Sequence, residues 1–461
     1  MPGKRAAPAS RAHDRKCPQD YGAGRFSGRG AVRAGCGSAP MRPICNGREG
    51  DDMDRETTID SGQNLLDAAA GRDLLDTGAS GHEGPQASGH EGPQAGSHRV
   101  PAPQSPVMAW NEWDPLEEVI VGSLDGATIP THHLTVIFNL PRAAQPFYRL
   151  ASGWKYPKFM KKLAQAELDN FIRILAGEGV RVRRPDAVDF SKKFRAPRWT
   201  SRGFCVACPR DPYLVIGDEI IESPMCWRSR YFEGDAYRSL FKEYFRAGAR
   251  WTSAPRPQLT DELYNYDYRV PNLKAGEPMR YTVNEFEPVF DAADFVRCGR
   301  DLFVTRSNVT NLMGIEWLRR HLGPGFRIHE IESRCPQPMH IDSSFMPLAP
   351  GKVLVNPDYV DVERLPKVLK SWDVLIAPRP DPVEGFMSRI SMCSPWTSIN
   401  VLMLDEKKVV VDASQPTLIK ALKGWGFDPI PAPFLSYGPF GGSFHCATLD
   451  VRRRGTLKSY F

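Results

Sequence analysis

The sequence predicts an α/β protein whose folded part is a ring of five similar units, a five-bladed propeller-like arrangement, preceded by a disordered tail. Three observations predict it: a helix-to-strand segment that recurs five times, a two-strand segment associated with each, and a low-complexity N-terminal stretch. In the recurring segment apolar residues fall at i, i+3, i+4 and i+7, and a turn, a short strand and often a proline follow. Most of these helices stop at glycine, as a left-handed C-cap requires.

Residues 1–108 form the tail. They are rich in Gly, Pro, Ala, Ser and Arg, and ASGHEGPQ occurs twice in tandem at 79–86 and 87–94. Such sequence cannot bury enough apolar surface to offset chain entropy, so it reads as disordered. Residues 1–48 hold ten Lys/Arg against two Asp, the bias of a mitochondrial transit peptide. A plain basic tail, or a start at Met53 or Met108, explains that bias equally well. Cytoplasm is the expected compartment, with mitochondria as the alternative.

The folded domain is expected over 109–461. It begins with EEVIVGS (117–123), a strand with no partner nearby. The five helix-to-strand segments are 158–185, 236–255, 311–331, 363–380 and 416–433. The paired β-rich runs are DPYLVIGDEIIES, FDAADFVRCGRDLFVTR, HIDSSFMPLAPGKVLVNP and WTSINVLMLDEKKVVVDAS, with FHCATLDVRR last and lacking a second strand downstream. The unpaired 117–123 strand can complete that last unit, and closing the ring in this way removes exposed sheet edges. A doubly wound sheet is the alternative architecture, but neither a G-x-G-x-x-G nor a P-loop fingerprint is present for a nucleotide.

Composition narrows the function classes. With 461 residues, 41% of them hydrophobic, the chain has ample material for a core. No run approaches the roughly 18 apolar residues of a membrane span, so no membrane partner is expected. A formal charge of +6 without a basic patch interleaved with aromatics points away from nucleic acid. The densest basic spot, Arg452 to Arg454, reads as a solvated strand end or an internal ion pair. Ten scattered cysteines are too few for a disulfide scaffold and are read as reduced thiols.

In a ring of this kind the residue at the start of each hairpin points toward the common axis. Asp211, Asp291, His340, Ser394 and Cys446 lie at or just before those starts. Each has a bland reading: a cysteine is most often buried and inert, PMHID could hold a core histidine, and Asp291, Asp294 and Asp211 could be turn residues or caps. Together they resemble a constellation for covalent catalysis, with a thiolate attacking and an imidazole relaying protons. The acids would repel an anionic electrophile and attract a cation, and a guanidinium fits as a planar, permanently charged one. Two rivals are weaker. Cys205 and Cys208 form a single C-x-x-C without a second pair at zinc spacing, and glycoside hydrolysis by two acids leaves the thiol and histidine without a job.

NEWDPLEEVIVG, EIIESPMCWRSR, FEPVFDAADF, GIEWLRRHL, PMHID, NVLMLDEK and GGSFHCATLDVRRRG closely resemble the glycine amidinotransferase and inosamine-phosphate amidinotransferase family, in order, from about Trp110 to Phe461. The resemblance implies the five-bladed α/β propeller of the pentein group, arginine as amidino donor, a ping-pong reaction, and no metal or organic cofactor. It places the nucleophile on Cys446, the acid/base on His340 and the third catalytic group on Asp291. It places guanidinium-binding carboxylates on Asp211 and Asp342, and a substrate-contacting serine on Ser394. Small-molecule partners follow, and a homodimer would suit the family.

The sequence also departs from that family. The second pocket serine falls at Cys393, and an arginine expected after NPD, which looks like the reader of the donor's α-carboxylate, is Tyr359; Arg389 is a candidate to compensate. Met339 matches the glycine-using enzymes, which favours a small acceptor and guanidinoacetate as product. Other acceptors (an aminocyclitol phosphate, lysine), a deiminase-like hydrolase and a catalytically silent binding protein are the competing expectations.

Overall fold

The computed structural model describes residues 105–461. The expectations for residues 1–104, including the tandem repeat and the basic stretch, lie outside the described residues. Val107 is buried and Met108 bridges to Arg452, so these two residues, assigned to the tail from sequence, pack with the folded domain.

Five three-stranded sheets share one plan: two antiparallel strands, then a third strand parallel to the middle one after a crossover. The first comprises Tyr213–Ile216, Glu219–Glu222 and Arg250–Ser253, with the helix Arg238–Arg246 in the crossover. The second comprises Phe295–Cys298, Asp301–Val304 and Arg327–Glu330, with the helix Leu312–Leu322. The third comprises Phe345–Ala349, Lys352–Val355 and Asp373–Ile376. The fourth comprises Leu402–Met403, Lys408–Asp412 and Asp428–Ala432, with the helix Pro416–Gly424. In the fifth, Thr448–Arg453 pairs antiparallel with Leu116–Val121, which pairs parallel with Arg181–Arg183 after the helix Lys158–Gly177. Strand 117–121 thus joins the C-terminal run, as the unpaired pattern implied.

Each unit reflects its local chemistry. The turns of the first three hairpins carry Gly217, Gly299 and Gly351 at positive φ, where a side chain would be strained. In the helix Lys158–Gly177 the buried residues Met160, Ala164, Leu168, Phe171 and Leu175 recur at the helical period. That buried face bears on the site, because Phe171 meets Phe434 and Phe444 edge to face, at 5.3 and 5.0 Å. Burying each such ring is worth about 1.5–3 kcal/mol.

The fourth helix-to-strand segment differs from its expectation. Residues 363–380 form two 3-10 turns, Val362–Arg364 and Lys367–Ser371, rather than an α-helix. Pro366 lies between them and lacks the N–H that an α-helix there would use. A two-stranded ladder, Lys193–Arg195 with Thr200–Arg202, precedes the first unit and had no counterpart in the repeat pattern.

Candidate active site

The first strand of each unit is a sheet edge, and edges of neighbouring units lie against one another, Tyr213–Ile216 beside Thr448–Arg453 and Phe345–Ala349 beside Phe295–Cys298. The residues just before these strands are therefore delivered to one place. Asp211, His340 and Cys446 each offer a donor atom, and these atoms all lie within 4.8 Å of one another. Asp291 joins them, its Oδ2 3.0 Å from His340 Nε2, while His340 Nδ1 is 3.7 Å from Asp211 Oδ1. The fourth unit contributes Asn400 at this position rather than Ser394. Its Nδ2 donates to Cys446 Sγ at 3.2 Å, and its Oδ1 accepts from the backbone N–H groups of His445 and Cys446 at 3.1 and 3.2 Å.

His340 has φ 59 and ψ 125, an unusual conformation for a residue with a side chain. Strain of this kind costs about 1–3 kcal/mol and persists where surrounding contacts over-determine it. Here the imidazole is held between two buried carboxylates. Asp342, in the following 3-10 turn, accepts from the Cys446 thiol at 3.5 Å and lies 2.8 Å from His445 Nδ1. Gly442 leaves the space beside Cys446 open: a methyl there would sit 2.4 Å from Cys446 Cβ and 3.2 Å from its sulfur.

Charged groups brace the site from behind. Arg230 donates to Asp211 at 2.6 Å and grips both oxygens of Glu233 at 2.6 and 2.8 Å. Glu112 and Asp450 are bridged by Arg297, at 2.8 and 2.7 Å, and His445 Nε2 is 3.3 Å from Glu112. Arg453 is part of the same buried network through Asp450, while Arg452 and Arg454 pair with Glu117, so the basic run is spent on ion pairs.

These fields set the protonation states. Burial lowers the basicity of His340, but the Asp211 charge and the hydrogen bonds with Asp291 and Cys446 outweigh it and raise its pKa well above the usual histidine value. Burial, then the Asp342 charge, raises the Cys446 thiol. Burial opposes ionisation of Asp342 too, yet the bond and charge of His445 bring its pKa below the ordinary value. The resting site thus sets an imidazolium and a thiol beside the ionised Asp342, while burial raises the Asp211 carboxyl.

A cavity of about 250 Å³ opens onto this group, lined by Met339, His340, Asp342, Tyr359, Ser394 and Cys446 among others. One oxygen each of Asp211 and Asp291 is buried without a hydrogen-bond partner. Buried carboxylate oxygens are normally paired, so acceptor capacity is left open beside the thiol. Such a site suits a ligand that is cationic and rich in N–H donors.

No family model matches the chain. It is 49% identical over 356 residues to the L-arginine:L-lysine amidinotransferase of Pseudomonas savastanoi pv. phaseolicola, covering 77% of this chain and 97% of that protein. It is 48% identical over 366 residues to the mitochondrial glycine amidinotransferase of Danio rerio, covering 78% and 86%. Among solved structures, an amidinotransferase of the saxitoxin biosynthetic pathway of Microseira wollei matches with a TM-score of 0.75 and 56% identity, over 77% of this chain and 100% of that one. The inosamine-phosphate amidinotransferase of Streptomyces griseus matches with a TM-score of 0.69 and 38% identity, over 77% and 99%. The chain belongs to the amidinotransferase family.

This amidinotransferase is a transferase with the α/β fold of those structures. Its cavity lining holds all the residues expected from sequence except Asp211 and Asp291, which flank His340, with an Asp211 oxygen within 4.8 Å of the Cys446 sulfur. Ser394 lines the wall and makes no hydrogen bond with Cys446. Tyr359 and Cys393 line it too, whereas Arg389 is exposed on a neighbouring cavity of about 470 Å³ and does not line this one. Sequence reasoning missed Asn400, Arg230, Glu233 and His445. The first could have been found as the last polar residue before VLML, and His445 by its place beside the cysteine; RSRYFE carries no periodic signal. Among the described residues no helix is long and apolar enough to cross a membrane.

Proposed function

We propose that the enzyme takes its amidino group from L-arginine, carries it on Cys446 as a covalent amidino-cysteine, and passes it to a primary amine, glycine in the simplest case, giving ornithine and guanidinoacetate. The observation that carries this reading is the pair of unpartnered oxygens on Asp211 and Asp291 beside a thiol and an imidazolium. A guanidinium supplies the missing donors and the balancing charge. Its arrival beside Asp342 offsets the field that holds the thiol protonated, and the Cys446 proton passes to solvent through the cavity as arginine binds, His340 being already protonated.

The thiolate sulfur then attacks the guanidino carbon. The C–N bond to the ornithine nitrogen breaks, and that nitrogen takes the proton of His340. The now neutral imidazole accepts a proton from the incoming amine, whose nitrogen attacks the amidino carbon and expels the thiolate. Asp291 orients the ring, Asp211 and Asp342 hold the cation, and Ser394 and Tyr359 contact the rest of the substrate. Met339 narrows the cavity in favour of a small acceptor. The relative named for lysine supports a larger amine as the second reading.

The five units stand as blades of one propeller, a reading supported by their shared strand order. The enzyme is assigned to the cytoplasm; the name of the Danio rerio relative supports a mitochondrial address as the alternative. Incubation with arginine and a panel of amines (glycine, lysine, γ-aminobutyrate, an aminocyclitol phosphate), followed by mass spectrometry, tests the chemistry. Ornithine with one dominant amidinated product supports transfer and names the acceptor. Citrulline would mark a deiminase and urea would mark water reaching the amidino-cysteine; either as main product overturns the proposal.

A further inference from the structure

The C-x-x-C pair of residues 205 and 208 is not used by the chemistry above, yet the fold brings it against the nucleophile. Both thiols donate to one acceptor, the Phe440 carbonyl, at 3.7 and 3.8 Å. Phe440 leads directly into Gly441 and Gly442, the loop that carries Cys446. A Cβ on Gly442 would lie 3.0 Å from Cys208 Sγ and 3.2 Å from Cys446 Sγ, so the two sulfurs face each other across a residue with no side chain. Gly441, at φ 107, gives the loop a second pivot. Cys208 and Cys446 are both buried, and of the two only Cys446 lines the cavity.

The geometry points to Cys208 as a resolving thiol for Cys446, so that oxidation of the nucleophile by a hydroperoxide ends in a reversible Cys208–Cys446 disulfide that switches the enzyme off. The Cys446 sulfur attacks the peroxide, the O–O bond breaks, the departing oxygen takes the thiol proton, and Cys446 becomes a sulfenic acid while the peroxide is reduced to an alcohol or water. The Cys208 sulfur then attacks the sulfenic sulfur; an S–S bond forms, the S–O bond breaks, and the hydroxide leaves with the Cys208 proton as water. Without a neighbouring thiol the sulfenic acid proceeds to sulfinic acid, which thiol reductants do not reverse. A dithiol reductant restores both cysteines. Cys205 shares the Phe440 carbonyl but is not among the atoms close to Gly442, so it serves as the internal control.

The inference rests on Cys446 being the reactive thiol, and the cross-link that tests it is read without amidino transfer. The full-length protein is treated with hydrogen peroxide, alkylated, digested with trypsin and analysed with and without reduction. The expected result is a cross-link between GFCVACPR (203–210) and the peptide 424–452, lost in Cys208→Ser and kept in Cys205→Ser. Peroxide-treated wild type and Cys205→Ser recover activity with dithiothreitol, whereas Cys208→Ser, fully active beforehand, does not. Oxygen added to Cys446 with no cross-link, a cross-link that survives in Cys208→Ser, or equal recovery in all three proteins would overturn the proposal.

Discussion

Asn400→Ala removes three hydrogen bonds at once. The amide oxygen accepts two backbone N–H groups, of His445 and Cys446, and its nitrogen donates to the Cys446 sulfur. Asn400 is only 2% exposed, so water does not replace it. The His445 N–H keeps its 3.4 Å bond to the Asn400 backbone carbonyl, so the Cys446 N–H is the one left unpaired, at a cost of about 1–3 kcal/mol out of the roughly 5–15 kcal/mol that holds a domain together. The bond to sulfur matters most when the sulfur is an anion; a hydrogen bond to a charged group is worth about 1.5–3 kcal/mol, or roughly ten- to hundredfold in rate. The expected outcome is a drop of that size in single-turnover ornithine release, with arginine KM little changed, and a lower urea midpoint. Asn400→Asp separates the two effects, since it keeps the acceptor for both N–H groups while replacing the donor with a charge. It should fold better than the alanine variant and be less active. Wild-type turnover in either variant would refute the reasoning.

Other outcomes follow from the same geometry. Gly442→Ala places a methyl against Cys446, so ornithine release should fall steeply while circular dichroism stays native; normal release would show that the loop yields freely. Tyr359→Arg restores a charge in the cavity wall and should lower arginine KM roughly tenfold if the donor's carboxylate is read there. An unchanged KM would place that contact elsewhere. Burial raises Asp294 to about 7 although Ser307 and Thr310 donate to it, so its folded pKa exceeds the unfolded value of about 3.9. Its contribution to stability is complete below the unfolded value and is lost as pH rises through about 7. Asp294→Asn should therefore lose less stability than wild type between about pH 5 and 8, by up to about 3 kcal/mol in urea titrations; equal losses would mean that Asp294 is ionised throughout.

Much of the fold was legible because single residues report local physics. The helix 158–177 announces itself through the spacing of Met160, Ala164, Leu168, Phe171 and Leu175, and the hairpin turns through Gly217, Gly299 and Gly351. Segment 363–380 has helical spacing too, but Pro366 sits where the spacing needs an N–H, and the chain takes two short turns. The site was legible in part. Asp211, Asp291, His340 and Cys446 each stand at a hairpin start, a position that sequence marks. In the fourth unit the edge strand is only Leu402–Met403, and WTSIN, which reads as its beginning, is a 3-10 turn; the converging residue is therefore Asn400, six positions past Ser394. The bracing pairs escaped for a different reason. Arg297 joins Glu112 to Asp450 between units far apart in the chain, and Arg230 reaches Asp211 from a 3-10 turn of the same unit. No periodicity encodes such pairs.

The central claim is that Cys446 carries the amidino group between two half-reactions. Its most direct test is to mix the enzyme with arginine and no acceptor, quench in acid, and weigh the protein and its tryptic peptides. The account predicts a mass increase of one amidino group on the peptide containing Cys446, one equivalent of ornithine, and neither in Cys446→Ser. Ornithine released without an adduct, or an adduct on any other residue, would contradict it.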